Sequence, residues 1–169
     1  MQRIAVICLL FAMASCAVPQ HVREEDKTFS QVFEAPGLTK QVLYEKVKIW
    51  LAQNFKSAKA VIEYDNKDEG TIIGNGSIKY PCSGMDCIAK ADWTVPFTMR
   101  VDTKDYKYRL TFSNLRLTWP AKRDSVGYLA AGDVEMWQQS DFDAVRPILL
   151  RFGDSINNNI LSEKKSSDW

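Results

Sequence analysis

Residues 93–112, WTVPFTMRVDTKDYKYRLTF, decide the fold, because apolar and polar side chains alternate through two consecutive stretches. The apolar positions are Trp93, Val95, Phe97, Met99 and Val101, followed by Tyr106, Tyr108, Leu110 and Phe112. Such alternation is typical of a strand with one buried face and one wet face. The polar residues 102–105 turn the chain between the two stretches. The sequence therefore predicts an antiparallel sheet that is solvated on one side.

The alternation changes phase after Phe112, because the next apolar residues are Leu115, Leu117 and Trp119. A strand that keeps its apolar side chains on one face through such a shift needs an extra residue. We therefore expect a β-bulge near 113–114.

Three further strands are predicted upstream, at residues 28–35, 60–64 and 71–80. The polar stretch 65–70, DNKDEG, reads as the turn of a hairpin between the last two. Asn75-Gly76 interrupts the third of them. We interpret this pair as a bulge, because a turn there would leave two very short strands.

Two helices are predicted from apolar residues at helical spacing. The first carries Leu43, Val47, Trp50, Leu51 and Phe55, and the second carries Val145, Ile148, Leu149, Phe152 and Ile156. Thr39 is the expected cap of the first helix, and Ser140 or Asp143 of the second. Pro147 is expected either to shift the start of the second helix or to kink it.

The order of elements is thus strand, helix, four strands, helix. This order predicts the α+β class, with an antiparallel sheet of about five strands and two helices packed on one face. One domain is expected over residues 29–162, followed by a polar tail at 163–169.

The chain resembles a family of bacterial envelope domains, the domain-of-unknown-function family 4468, which has a TATA-binding-protein-like (TBP-like) fold. The residues that carry this resemblance are Tyr44, Trp50, Leu51 and Phe55, the turn 65–70, and then Ile72, Gly74 and Gly76. The resemblance covers roughly residues 29–115. It implies a fold and no activity, because these positions are mostly core and turn residues.

The first fifteen residues have the layout of an export signal, with Arg3, the apolar run 4–13 and small residues before Cys16. A cysteine directly after Ala-Ser is typical of a bacterial lipoprotein, so we predict that residues 1–15 are removed and that Cys16 carries fatty acyl chains such as palmitate. An ordinary secretory signal cut after Ala17 is the alternative.

Lipidation would place the protein on a membrane through its N-terminus, since two or more acyl chains anchor stably. Residues 16–28 are then expected to be a flexible tether. Ala17 follows the cysteine where an aspartate would signal retention in the inner membrane. We therefore expect the periplasmic side of the outer membrane if the host has two membranes.

The charge balance argues against a nucleic-acid partner. Arg3 is the only charged residue before Cys16, so the processed chain has 21 basic and 21 acidic residues. Binding to a phosphate backbone draws mainly on clustered cationic charge. Export argues against such a partner independently.

Cys82 and Cys87 are predicted to form a disulfide. Cys8 lies in the signal and Cys16 carries the lipid, which leaves these two as a pair in an oxidising compartment. A redox pair or half of a metal site is the alternative, but the four intervening residues are not the C-x-x-C of redox motifs and no histidine lies nearby.

Catalytic motifs are absent from the sequence of the domain. The one histidine of the chain, His21, lies in the expected tether and not in the domain, and neither H-E-x-x-H nor G-x-S-x-G occurs. One set of acids, Asp133, Glu135, Asp141 and Asp143, could supply paired carboxylates of the kind that glycosidases use, but such residues more often serve loop solvation and helix capping. We expect no enzyme activity, no cofactor and no metal.

A binding role is the leading hypothesis, with a protein or another envelope component as partner. The candidate interaction residues are Trp119, Tyr128, Met136 and Trp137 in the connection 119–139, and Arg100 and Arg109 on the wet sheet face. The competing hypothesis is a small-ligand carrier or a non-histidine enzyme, with its site between this connection and the sheet. If the connection is an interaction arm, truncation of 120–139 should spare folding.

Overall fold

The computed structural model describes residues 20–55, 61–123 and 127–166. In chain order, the elements are β1 (Phe29–Glu34), α1 (Lys40–Asn54), β2 (Val61–Asn66), β3 (Thr71–Lys79), α2 (Asp86–Lys90), β4 (Thr94–Lys104), β5 (Lys107–Ser113), β6 (Arg116–Trp119), β7 (Lys122–Arg123), β8 (Tyr128–Leu129), β9 (Gly132–Glu135) and α3 (Gln139–Ser166). The predicted signal peptide, Cys16 and Ala17 lie outside the described residues.

The main sheet is antiparallel, and its central path runs in the order β1-β5-β4-β3-β2. β6 pairs with β4, and β9 pairs with β6, so the sheet has seven strands instead of about five. α1 contacts β4 and β5, and α3 contacts β1 and β5. The α+β class and the antiparallel sheet are therefore confirmed. The sheet is larger than expected because part of the predicted connection folds back as β9.

The core lies between the sheet and its helical layer. β4 alternates as predicted, since Val95, Phe97, Met99 and Val101 are buried and the residues between them are not. Tyr108, Leu110 and Phe112 of β5 continue this buried face, together with Phe29 and Phe33 of β1. The packing of α3 is close enough that a Cβ atom on Gly153 would lie 2.0 Å from the ring of Phe33.

The predicted bulge after Phe112 separates β5 from β6. Ser113 faces Thr98 and Thr118 faces Thr94, so β5–β6 has one residue more than β4 between these two pairs. Asn114 takes a positive φ of 52° at this point. Pro96 lies opposite the bulge, where the ladder is interrupted and its missing N–H is tolerated.

The prediction of a bulge at Asn75-Gly76 is wrong. β3 pairs with β4 in an unbroken register from Thr71 to Lys79, and the irregularity lies in β2, between Ile62 and Tyr64. The glycine serves packing instead, because a Cβ atom on Gly76 would lie 2.6 Å from the ring of Phe97. Such close approach of a neighbouring side chain is one of the reasons for glycine in a strand.

α1 begins after Thr39 as predicted, but the hydroxyl of Thr39 makes no capping hydrogen bond. The backbone N–H of Lys40 instead donates to Oδ1 of Asp105, at 2.7 Å. Asp105 belongs to the two-residue turn between β4 and β5, and the next N–H, of Tyr106, donates to the carbonyl of Leu38 at 2.8 Å. The β4–β5 turn thus holds the start of α1 against the sheet.

The structure differs from the expected tether at residues 20–28, which pack on the domain. Val22 is buried, and its N–H donates to the carbonyl of Trp137 at 2.9 Å. Lys27 forms an ion pair with Glu135, at 2.9 Å between Nζ and Oε1. The buried valine and the long-range ion pair hold this segment on the domain, although its polar composition predicts a tether.

α3 is longer at both ends than the sequence indicates. It begins at Gln139, so Ser140 and Asp143 lie inside it rather than at its cap, and Pro147 does not shift its start. Its helical backbone runs on to Ser166, four residues into the stretch expected as a polar tail. Among the described residues, no helix is long and apolar enough to cross a membrane.

Candidate functional site

The two helical elements α1 and α3 pack on one face of the sheet, and the side chains of the opposite face are almost all polar or charged. We call this the open face. Strand alternation and register assign to it Ser30, Val32, Glu34, Thr71, Ile73, Asn75, Ser77, Lys79, Thr94, Pro96, Thr98, Arg100, Asp102, Lys104, Lys107, Arg109, Thr111, Ser113, Arg116 and Thr118. It is the wet face that the alternation in 93–112 predicts.

The middle of the open face is a network of short hydroxyl and amide side chains. Thr98 donates its hydroxyl to Oδ1 of Asn75 at 2.9 Å, and Nδ2 of Asn114 donates to the same hydroxyl at 3.2 Å. The hydroxyls of Thr94 and Thr118 lie 2.6 Å apart. Nδ2 of Asn75 also donates to the carboxylate of Glu63, which borders this area. The area offers hydroxyl and amide groups to a polar partner.

Two arginines on the open face share one carboxylate. Nε of Arg100 and Nη2 of Arg109 each lie 2.9 Å from an oxygen of Asp102, and the hydroxyl of Thr71 donates to it at 3.0 Å. Burial acts to raise the pKa of Asp102, but the hydrogen bonds from the two arginines and the threonine outweigh it and hold that pKa below its ordinary value. Both predicted arginines are half-exposed, and their ion pairs with Asp102 hold them in position.

Beside this pair, a shallow depression of about 230 Å³ lies at the β4–β5 end of the open face. It is lined by Val32, Asp102, Lys104, Lys107 and Arg109, with Tyr108 below. Lys104 and Lys107 are direct cross-strand partners next to the turn.

At its other end the sheet carries a β-hairpin that runs from β6 to β9. β6 and β9 pair over four residues, and beyond them, within the part of the chain that the structure describes, β7 and β8 pair with each other and not with the main sheet. We call residues 120–131 the arm; of these, 124–126 lie outside the described residues. Tyr128 is 66% exposed and Leu129 is 49% exposed, so the arm presents two large apolar side chains to solvent.

Trp119 lies at the base of the arm and is half-buried. Its ring stacks on Trp93 at a centroid distance of 4.7 Å, and its Nε1 donates to the carbonyl of Ala130 at 3.0 Å. A Cβ atom on Gly132 would lie 2.1 Å from this ring. The indole therefore fixes the arm to the body of the domain.

Met136 is a correction to the predicted interaction surface, because it is fully buried in the core. Its N–H donates to the carbonyl of Leu115 at 3.0 Å. This hydrogen bond holds the segment after β9 against the main sheet. Trp137 follows Met136 and is 37% exposed, with its ring 4.9 Å from that of His21. Residues 132–139 are thus part of the fold, so a truncation of 120–139 would also remove core contacts such as those of Met136.

The four acids of the predicted carboxylate set do not converge. Asp133 pairs with Arg116 at 2.6 Å, Glu135 pairs with Lys27, and Asp143 accepts from Nε2 of Gln139 at 2.8 Å. The hydrogen bond from Lys27 lowers the pKa of Glu135. No group of three or more metal-ligating side chains occurs in the part of the chain that the structure describes.

Asp141, the fourth acid, is buried in a cluster that the sequence did not indicate. The Cys82–Cys87 disulfide is present, and α2, which begins inside its loop and runs three residues past Cys87, ends at Lys90. Nζ of Lys90 lies 4.0 Å from Oδ1 of Asp141, which also accepts a hydrogen bond from the hydroxyl of Tyr80 at 2.6 Å. Burial, and then the carboxylate, raise the pKa of Tyr80. These groups satisfy one another, so the cluster serves to dock the disulfide loop on α3.

A second cavity, of about 210 Å³, lies on the helical side of the sheet, between α1 and strands β2–β4. Its lining is almost entirely apolar and includes Leu51, Phe55, Ile62, Ile72 and Phe97. The predicted alternative placed a ligand site between the 119–139 connection and the sheet. This cavity lies elsewhere, and no sequence signal pointed to it.

These observations define a two-layer α+β domain with one open sheet face. The chain belongs to the family described as domain of unknown function (DUF4468) with TBP-like fold, whose model matches residues 29–118. This family membership confirms the resemblance seen in the sequence.

Solved structures have the same fold. A DUF4468 family protein from Bacteroides ovatus ATCC 8483 is 16% identical, with a TM-score of 0.52 over 80% of this chain and 84% of that chain. A TBP-like protein from Parabacteroides distasonis ATCC 8503 is 14% identical, with a TM-score of 0.50 over 64% of each chain. No curated protein matches the sequence. At these identities the likeness concerns the fold and carries no activity.

Proposed function

We propose that this protein is a lipid-anchored binding domain of the bacterial envelope, which holds a protein or another envelope component through its arm and open face. The single observation that carries the proposal is the arm, whose strands β7 and β8 form no strand pairing with the main sheet among the described residues and which exposes Tyr128 and Leu129. Large side chains of this kind are enriched in the centres of interfaces.

The anchor is the second part of the proposal. The layout of residues 1–15 and the cysteine at position 16 support lipidation, and the host membrane would then concentrate the domain near its partner. We expect no enzymatic reaction, because the acids that the sequence offers are paired separately. The domain then acts by holding its partner in place.

Photo-crosslinking in intact cells tests this proposal. A photoreactive residue at Tyr128 should give one crosslinked species, and the same residue at Ile49 on α1, which is 43% exposed, is the matched control. The species should be absent from the Ile49 control and should be lost in the Cys16→Ala form. Identical products from both positions, or none from Tyr128, would refute the proposal.

The apolar cavity under α1 favours a second candidate, a carrier of a small apolar ligand. Dry apolar cavities of comparable size bind small apolar molecules. Ala52 also lines this cavity, so the Ala52→Trp substitution should fill it. Native mass spectrometry of the purified protein should then show a bound mass that this variant lacks. An unliganded mass in both forms would rule out the carrier.

A further inference from the structure

Four cations lie together on two neighbouring strands, Arg100 and Lys104 on β4, and Lys107 and Arg109 on β5. Lysines on exposed strands commonly protect a sheet edge against pairing with another chain. That explanation does not apply here, because β4 lies between β3 and β5, and β5 lies between β1 and β4. Edge protection therefore does not explain these charges.

The two lysines are placed unfavourably for the isolated domain. Lys104 and Lys107 are direct cross-strand partners, and like charges in this relation destabilise a sheet. Neither has an ion-pair partner within 4.0 Å among the residues that the structure describes. Glu34 faces Lys107 from β1 without forming such a pair. An anion between the two ammonium groups would remove this repulsion.

The third cation is already oriented. Asp102 holds Arg109 through Nη2, so the guanidinium lies at the edge of the depression with its other N–H groups unused by this bond. Asp102 pairs with the two arginines and therefore does not compensate the lysines, and Glu34 faces Lys107 in register without forming an ion pair with it. Three donors from two strands thus surround one depression of about 230 Å³.

We propose that this depression binds a phosphate group, through Lys104, Lys107 and Arg109. A dianionic phosphate has three acceptor oxygens for the three donors, and its two negative charges match the two lysines, since Arg109 is already paired with Asp102. A single carboxylate carries one charge and would leave one lysine unpaired. The inference rests on the proposed function, because it specifies which chemical group of the partner binds at one end of the open face. The phosphate can come from a lipid headgroup or from a soluble ester.

NMR titration of the whole processed chain with inorganic phosphate, at constant ionic strength, tests the site. Saturable shifts are expected at the amides of residues 102–109. Lys104→Gln and Lys107→Gln should each weaken binding about tenfold, as expected for the loss of one charged hydrogen bond. Lys79→Gln, an exposed lysine at the far end of β3, is the matched control and should leave the affinity unchanged.

A second titration, with a dispersed short-chain phosphatidic acid, separates the two sources. If inorganic phosphate and phosphatidic acid bind with equal affinity, the site recognises the phosphate group alone. If the lipid binds more tightly and still needs the same two lysines, the site recognises a lipid headgroup. Absent or unsaturable shifts, or an equal loss in the Lys79→Gln control, would overturn the site. Persistence of the Tyr128 crosslink in that case would leave the proposed function standing.

Discussion

Removal of the carboxylate of Asp105 should destabilise α1, although this residue lies 65 positions away from the start of the helix. Its Oδ1 accepts the N–H of Lys40 at 2.7 Å, and a helix N-terminus leaves such N–H groups without intrahelical partners. Loss of a capping side chain typically costs about 1 kcal/mol. A carboxylate near the positive end of the helix dipole adds about 0.3–1 kcal/mol. We therefore expect Asp105→Ala to lower the free energy of unfolding by about 1–2 kcal/mol.

The matched control is Thr39→Ala at the N-cap itself. Because the Thr39 hydroxyl makes no capping bond, its loss should change the stability by less than about 0.5 kcal/mol. Asp105→Asn retains an acceptor and loses the charge, so its effect should lie between the two. Urea denaturation followed by circular dichroism measures the stability of all three variants. The urea midpoint should fall in the two Asp105 variants, and the dependence of the unfolding free energy on urea should be unchanged. A Thr39→Ala effect equal to or larger than that of Asp105→Ala would refute the reasoning.

Three further predictions concern packing, pH and the disulfide. Gly153→Ala should destabilise the domain by about 1–3 kcal/mol, because the added methyl overlaps the ring of Phe33, and thermal unfolding measures it. Asp102, whose pKa is depressed in the folded state, contributes stability that is present above its unfolded pKa and is lost as pH falls through its folded pKa. Acid titration of stability should therefore be shallower in Asp102→Asn. Reduction of Cys82–Cys87 should cost about 2 kcal/mol and leave the far-ultraviolet spectrum of the sheet intact, since the loop it closes is short.

Much of the fold could be predicted because it depends on local alternation. The stretch 93–112 shows which side chains of β4 and β5 face the core, and the phase shift after Phe112 indicates the bulge that separates β5 from β6. Tyr106 is the exception, because the turn lies at 105–106 instead of 102–105 and leaves this ring exposed. The turn at 65–70 and the spacing in 40–54 likewise indicate a hairpin and a helix. The disulfide follows from the pairing of two cysteines in a turn-rich segment. Each of these signals lies within a short range of sequence.

The residues whose position was predicted wrongly are those held by contacts between distant segments of the chain. Met136 was expected at an interaction surface, because residue type alone does not show that β9 returns the chain to the core. Val22 was expected in a tether for the same reason, since its burial depends on Trp137. Of the candidate surface, Tyr128 is exposed on the arm and Trp119 is held at its base. The sequence offers no sign of this division.

The sequence by itself determined the alternation of buried and wet residues, the positions of the principal turns, the pairing of the cysteines and the match to the family over residues 29–118. Only the tertiary structure decided which neighbours meet: the cap of α1 by Asp105, the pair Asp141–Tyr80, and the cations that surround one depression on the open face. The physical reason is that propensity and periodicity act within a few residues. Hydrogen bonds and charge pairs between strands depend on the register of the whole sheet.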